Sequence, residues 1–438
     1  MAGSPTPVNK SGFVTFLSTP LLKQLEQATF WLYCVAAAAY PFSVAATNIA
    51  LGSALGMGLI NGQFAEGCRC LWKHHRALSI AWLVYLALLP IGLIWSPDRS
   101  WGLHIVARQW YWFIIPLSCV VLTIPKNRNT FLFILGVSLS LHLMFCVGQM
   151  LEIIHFTKDG STAMDPTGHI GHIGFGFVYG VWAGWLLHRG LLWQGWKRWG
   201  AWTLATWAAT MVFLAAGRSG YLVVSVLLLL VLWKLLCIQP WIKTTVTILA
   251  FVTVLAALTL GPGKQRMAWT WHSIQSMQQG DFKHAEARWS LWYAAIKAWQ
   301  THPFTGVGTG GYRIAAAKIK QLHPDLWYGG LLPAHPHNMY LLALSRWGPI
   351  GPLALITLLA LWMRMGWRMD WQRTDTASLI ALPGVAIAVH GLSAPSLEEH
   401  FSGILAALLL GAGLAAMRKN PTTSSPYGGQ PNAPTSDA

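Results

Sequence analysis

Apolar stretches set the limits on this chain, because a helix needs roughly 20 apolar residues to cross about 30 Å of hydrocarbon. Twelve segments approach or exceed that length: 27–41, 43–60, 77–95, 104–124, 131–154, 170–188, 202–216, 220–237, 241–260, 338–363, 377–392 and 402–417. In lipid every backbone amide must be satisfied within its own segment, so such stretches become helices. The expected fold is all-α: a polytopic integral membrane protein with about 12 transmembrane helices and one long outer loop containing short helices. The composition agrees, with 10% charged residues where soluble domains hold about 25%. The 26 Trp residues suit the aromatic belts at the two membrane interfaces.

The net charge of +16 would suggest nucleic acid in a soluble protein, but membrane proteins collect Lys and Arg in cytoplasmic loops. The expectation is therefore no nucleic acid, with membrane lipids as surroundings. With the N-terminus inside, the inner segments hold 17 of the 30 basic residues, and the short outer loops only Arg99, Lys158 and Arg218. Both termini are then cytoplasmic. The division follows as 1–260, a membrane domain of about nine spans; 261–336, the long outer loop; 337–417, about three further spans; and 418–438, a disordered cytoplasmic tail. Residues 1–24 lack the charged and apolar regions of a cleaved signal peptide. Cys68, Cys70, His74 and His75 lack the C-x₂₋₄-C spacing of a structural zinc site, so no metal is expected there.

The outer loop carries eight Lys and Arg against three acidic residues, net +5, which suits an anionic partner. Within it, 285–299 reads as an amphipathic interfacial helix with Trp289, Tyr293 and Ile296 on its apolar face. Three features could carry chemistry. Gly217-Arg218-Ser219-Gly220 places a guanidinium at a tight outer turn, where it is costly unless it meets an anion. Arg288 precedes the glycine-rich run from Thr305 to Gly311, whose amides could cradle phosphate oxygens or simply make a turn. His337 stands at the start of an apolar helix, a position suited to a general base.

His337-Asn338, nine intervening residues, Gly348, two residues and Gly351 resembles the His-Asn-x₉-Gly-x-x-Gly signature of the O-antigen ligase family, which shares a membrane domain with O-antigen polymerases. Arg218-x₃-Leu222 is similar to that family's second motif. The resemblance extends over the order of spans, long loop, arginine turn and histidine. It implies transfer of a glycan en bloc from undecaprenyl diphosphate to a sugar hydroxyl of lipid A-core, on the periplasmic side of a bacterial inner membrane.

On that reading His337 is the catalytic base. Arg218, Arg288 and Arg266 bind the diphosphate, since arginine meets phosphate bidentately. Asn338, His335, Arg313 and Arg108 form a second tier of substrate-binding candidates, with His169 and His172 behind them. His335 is a second imidazole close by, but the motif register selects His337. No metal and no cofactor are expected, because arginines can neutralise the leaving group, and a single inverting displacement is favoured. Glu398 and Glu399 read as a solvated loop. O-antigen polymerases and protein O-oligosaccharyltransferases would use the same donor. A lipid-linked glycan transporter is the more distant alternative, disfavoured because ionisable residues rarely fall mid-span.

Overall fold

The computed structural model describes residues 18–156, 161–215, 217–235, 287–326 and 334–418, with short helical pieces between 268 and 279. The expected span at 241–260, Arg266 and the tail from residue 419 lie outside these. Among the described residues every named element is helical, the extended structure amounting to one bridge between Thr162 and Asp165. The helices are α1 (Thr19–Ala39), α2 (Val44–Ile60), α3 (Gln63–His74), α4 (Arg76–Ile91), α5 (Arg99–Arg108), α6 (Ile114–Val121), α7 (Pro125–Met150), α8 (Gly171–Leu192), α9 (Trp196–Leu214) and α10 (Arg218–Leu235). They continue with α11 (Ala287–Thr301), α12 (Tyr312–Leu322), α13 (Met339–Trp347), α14 (Ile350–Trp367), α15 (Thr376–His390) and α16 (His400–Met417).

Among the described residues three helices, Pro125–Met150, Ile350–Trp367 and His400–Met417, are long and apolar enough to cross a membrane, and a fourth crossing arises if α2 and α3, bent by 84°, form one broken span. Helices α8 and α16 are buried on nearly every side, from Gly174 to Leu186 and from Ser402 to Ala415, the pattern of a helix at the centre of a bundle. Apolar side chains also cover the outside: Phe133, Leu141 and Met144 of α7 and Leu353 and Ile356 of α14 are exposed. An apolar interior within an apolar belt defines a membrane protein.

Two expected spans are broken. Residues 104–124 divide into α5, a 3₁₀ segment (Gln109–Phe113) and α6; here Tyr111 Oη and Trp112 Nε1 both donate to Leu397 O, at 2.6 and 3.2 Å. Residues 338–363 divide at Gly348, whose φ of 63° ends α13. A Cβ at Gly348 would lie 2.2 Å from Phe304 O, so glycine is required for the approach as well as for the turn. Helix α11 packs into the protein by a face of small residues. Its buried stripe is Ser290, Leu291, Ala294, Ala295 and Ala298, packed with α12 and α13, while Ile296 is exposed. Small residues win this face because they let helices approach closely.

Glycine also sets the α8–α10 crossing: a Cβ on Gly176 would lie 2.2 Å from Gly220 Cα. Gly176→Leu is expected to lower stability by at least ~1–3 kcal/mol through overpacking. Gly52→Ala on α2 meets nothing within 4 Å and should raise stability by about 0.5–1 kcal/mol. Thermal unfolding of both variants in detergent checks the pair.

Candidate functional site

Several helix ends converge at one end of the bundle. His390, closing α15, bonds through Nε2 with Ile173 O near the start of α8 at 3.1 Å. Gly217, one residue before α10, lies against the next carbonyl back, where a Cβ would meet His172 O at 2.6 Å. Gly391 O accepts Met339 N at 2.7 Å, tying the start of α13 to the same place. Arg218 opens α10 here; its side chain is outside the described residues. At the other end of α16, Arg418 pairs with Glu66 at 2.9 Å.

His337 immediately precedes α13 with φ 51°, a left-handed conformation that side-chain-bearing residues rarely adopt. What holds it there is the cap that follows. Asn338 Oδ1 accepts Tyr340 N and Leu341 N, both at 3.0 Å, and Asn338 Nδ2 donates to Leu392 O at 3.2 Å. Both ends of the Asn338 side chain are thus committed to the fold. The His337 amide donates to His335 Nδ1 at 3.3 Å, and the two imidazoles meet edge-to-face with centroids 4.4 Å apart. Burial lowers the His337 pKa below the ordinary histidine value, and the Arg288 guanidinium lowers it further. His337 is therefore neutral at pH 7, and Arg288 of α11, itself exposed, is close enough to act on it.

The glycine-rich run is not an anion cradle. All six amides from Gly306 to Gly311 donate within the protein: to His302 O, Ser345 O, Arg346 O, Gly92 O, Ser96 Oγ and Gly308 O, at 2.8–3.1 Å. Its glycines allow backbone to pack on backbone, as at Gly310, where a Cβ would lie 1.9 Å from Asp98 O. The run clasps the α4–α5 junction to α13. Gly351 serves the same packing, since a Cβ there would lie 2.3 Å from Ala343 O. The motif's Asn and two Gly residues thus define a nine-residue helix with His337 at one end and Arg346 near the other.

Arg346 is 2% exposed and forms a two-pronged ion pair with Glu398, through Nη1 to Oε1 and, at 3.2 Å, Nη2 to Oε2. This corrects the reading of 396–400 as a solvated loop: Ser396 and Leu397 are fully buried, and Ser396 Oγ bonds His390 Nδ1 at 2.8 Å. Beside the pair is a cavity of about 240 Å³ lined by residues including Arg108, Gln109, His335, Arg346 and Glu399. Burial raises the Glu399 pKa to about 7, Arg108 opposing that rise and Glu398 adding to it. Burial, then His337, Arg346 and Arg108, lower His335 to about 3. At the rim, Arg313 of α12 is exposed and lies over the Trp101 ring at 5.7 Å.

Among the sequence candidates, the fold gathers His337, His335, Asn338, Arg288, Arg108 and Arg313 around this end of the bundle. His172 lies 3.5 Å from Asp165, and His169 sits in an aromatic cluster with Phe42, His142, Phe145 and Phe156. Sequence reasoning left Gln109 and Arg346 out of the site and took Glu398 and Glu399 for a solvated loop. One signal was available: an arginine inside an apolar stretch needs a partner, and Glu398 was one of few acidic residues able to supply it. Among the described residues no three His, Cys, Asp or Glu side chains are grouped to hold a metal.

These features define a helical membrane protein with a histidine–arginine site at one end. Residues 203–356 match the family model described as O-antigen ligase. That segment is therefore similar to the O-antigen ligase family, in agreement with the motif resemblance, and the match spans Arg218, Arg288, His335 and His337 but ends before Glu398 and Glu399. No curated protein matches the chain.

Removing one member of the buried pair leaves a charge without its partner, so Glu398→Ala is expected to cost about 3–5 kcal/mol. The double replacement Arg346→Met with Glu398→Leu should recover most of that stability. Unfolding midpoints of the single and double variants measure the difference.

Proposed function

We propose that the protein is a glycosyltransferase that moves an O-antigen glycan en bloc from undecaprenyl diphosphate to a sugar hydroxyl of lipid A-core. In this reading it has about twelve spans in the bacterial inner membrane, both termini cytoplasmic, and residues 261–336 and the site facing the periplasm. The support for that orientation is the concentration of Lys and Arg in alternate short loops.

The observation that carries the reaction is a neutral imidazole held in a strained backbone conformation beside a guanidinium. Strain of this kind persists only where surrounding structure enforces it, and it gathers at working sites. His337 takes the proton from the acceptor hydroxyl, and the oxygen attacks the anomeric carbon. The bond from that carbon to the diphosphate oxygen breaks, and undecaprenyl diphosphate leaves with its bonding electrons. Arg288, with Arg218 and Arg266, neutralises the charge that develops on the diphosphate. One displacement inverts the anomeric centre. Since arginines supply the countercharge, the reaction proceeds without a metal ion, and EDTA should leave the rate unchanged.

His337→Ala should abolish transfer while the protein remains folded and membrane-inserted, checked with undecaprenyl-linked glycan and lipid A-core as substrates. Arg218→Lys should also be poor, because lysine keeps the charge but loses the two-pronged geometry. Because the His337 pKa is lowered, the neutral base persists below the ordinary histidine value, and activity should fall only at more acid pH. Arg288→Gln removes one cause of that lowering, so the acid limb of the pH–rate profile should move toward higher pH. Supplying lipid A-core, an undecaprenyl-linked repeat unit or pilin in parallel identifies the acceptor.

A further inference from the structure

The cavity beside the Arg346–Glu398 pair has a lining that the reaction above does not use. Gln109 is 4% exposed and Arg346 2% exposed, and Gln109 Nε2 and Arg346 Nε are buried without a hydrogen-bond partner. The other polar atoms of both side chains are engaged: Gln109 Oε1 accepts Trp112 Nε1 at 3.0 Å, and both Arg346 Nη atoms meet Glu398. Both side chains line a cavity of about 240 Å³, together with Arg108, His335 and the Glu399 carboxyl. A buried donor left unsatisfied costs about 1–3 kcal/mol, which a ligand that accepts the bond recovers.

The charges say what kind of ligand fits. Arg346 is paired with Glu398, Arg108 faces a Glu399 carboxyl that burial holds partly protonated, and His335 is kept uncharged by burial. A diphosphate carries at least two negative charges, more than this lining can offset. A group rich in hydroxyls, each able to donate and accept, suits two donors, an arginine and a carboxyl in one small space. Arg108, which lines the cavity, acts on His335, whereas Arg288, outside its lining, acts on His337.

We propose that this cavity is the subsite for the neutral sugar ring whose hydroxyl is glycosylated, with Glu399 and Gln109 as its hydrogen-bonding groups. This rests on the transferase reading and assigns the acceptor a place distinct from the diphosphate. A sugar bound there reaches the histidine pair through His335. The carboxyl near its midpoint at neutral pH can either give or take a hydrogen bond, which suits a hydroxyl partner.

The test uses the full-length protein in detergent, with Glu399→Gln and Gln109→Met beside wild type. In steady-state transfer, KM for lipid A-core should rise about tenfold or more in each variant, with KM for the undecaprenyl-linked donor unchanged. Glu399→Asp should recover part of the loss. A rise in donor KM instead, or a fall in kcat with both KM values unchanged, overturns the assignment. Binding of deacylated core oligosaccharide, measured by calorimetry without donor, separates the two readings. Wild-type binding that weakens in both variants supports the subsite even if no transfer occurs, whereas equal binding by wild type and variants overturns it even if transfer proceeds.

Discussion

A guanidinium buried among helices is tolerable only because a carboxylate meets it with both oxygens, and the Arg346–Glu398 pair joins two segments 52 residues apart. Isolated, either charge would be expelled or neutralised. Together they fix α13 against the loop that leads into α16. The glycine-rich run reinforces the junction from the other side, since Gly308 N donates to the carbonyl of that same arginine at 2.9 Å. Side chain and backbone of one residue thus anchor separate parts of the chain. Everything at the site takes its position from this knot: His337 begins the helix that Arg346 nearly ends, and Glu399 adjoins the paired glutamate.

The arrangement also separates two electrostatic environments within a small region. Arg288 approaches His337, and Arg108 approaches His335 and Glu399. Burial removes water from between these groups and makes their differences large enough to matter. On one side stands the exposed Arg288 guanidinium; on the other, Arg346 is paired with Glu398 and Arg108 faces the Glu399 carboxyl.

Much of the fold was legible because apolar length and glycine placement act locally. The stretches 43–60, 131–154 and 402–417 correspond closely to α2, α7 and α16. Breaks within apolar stretches were not legible. Nothing in 104–124 announces that Tyr111 and Trp112 will both reach for Leu397 O, and the end of α13 depends on Phe304 O arriving at Gly348. The face by which α11 packs was not legible for a related reason: alanines, which carry little hydropathic signal, allow the close contact with α12 and α13. Gly306 to Gly311 kept two meanings until the partners of its amides were known.

By itself the sequence determined that this chain is helical and apolar enough for a membrane, and that His337-Asn338 with Gly348 and Gly351, and Arg218-x₃-Leu222, resemble O-antigen ligase motifs, because hydropathy, loop charge and short motifs are properties of neighbouring residues. Only the tertiary structure decided that Glu398 is a buried ion-pair partner, that Glu399 and Gln109 line a cavity, and that the glycine run is a clasp. Those facts depend on which distant carbonyl, carboxylate or amide arrives at a given position, and burial then gives the same side chain a different charge, partner and use.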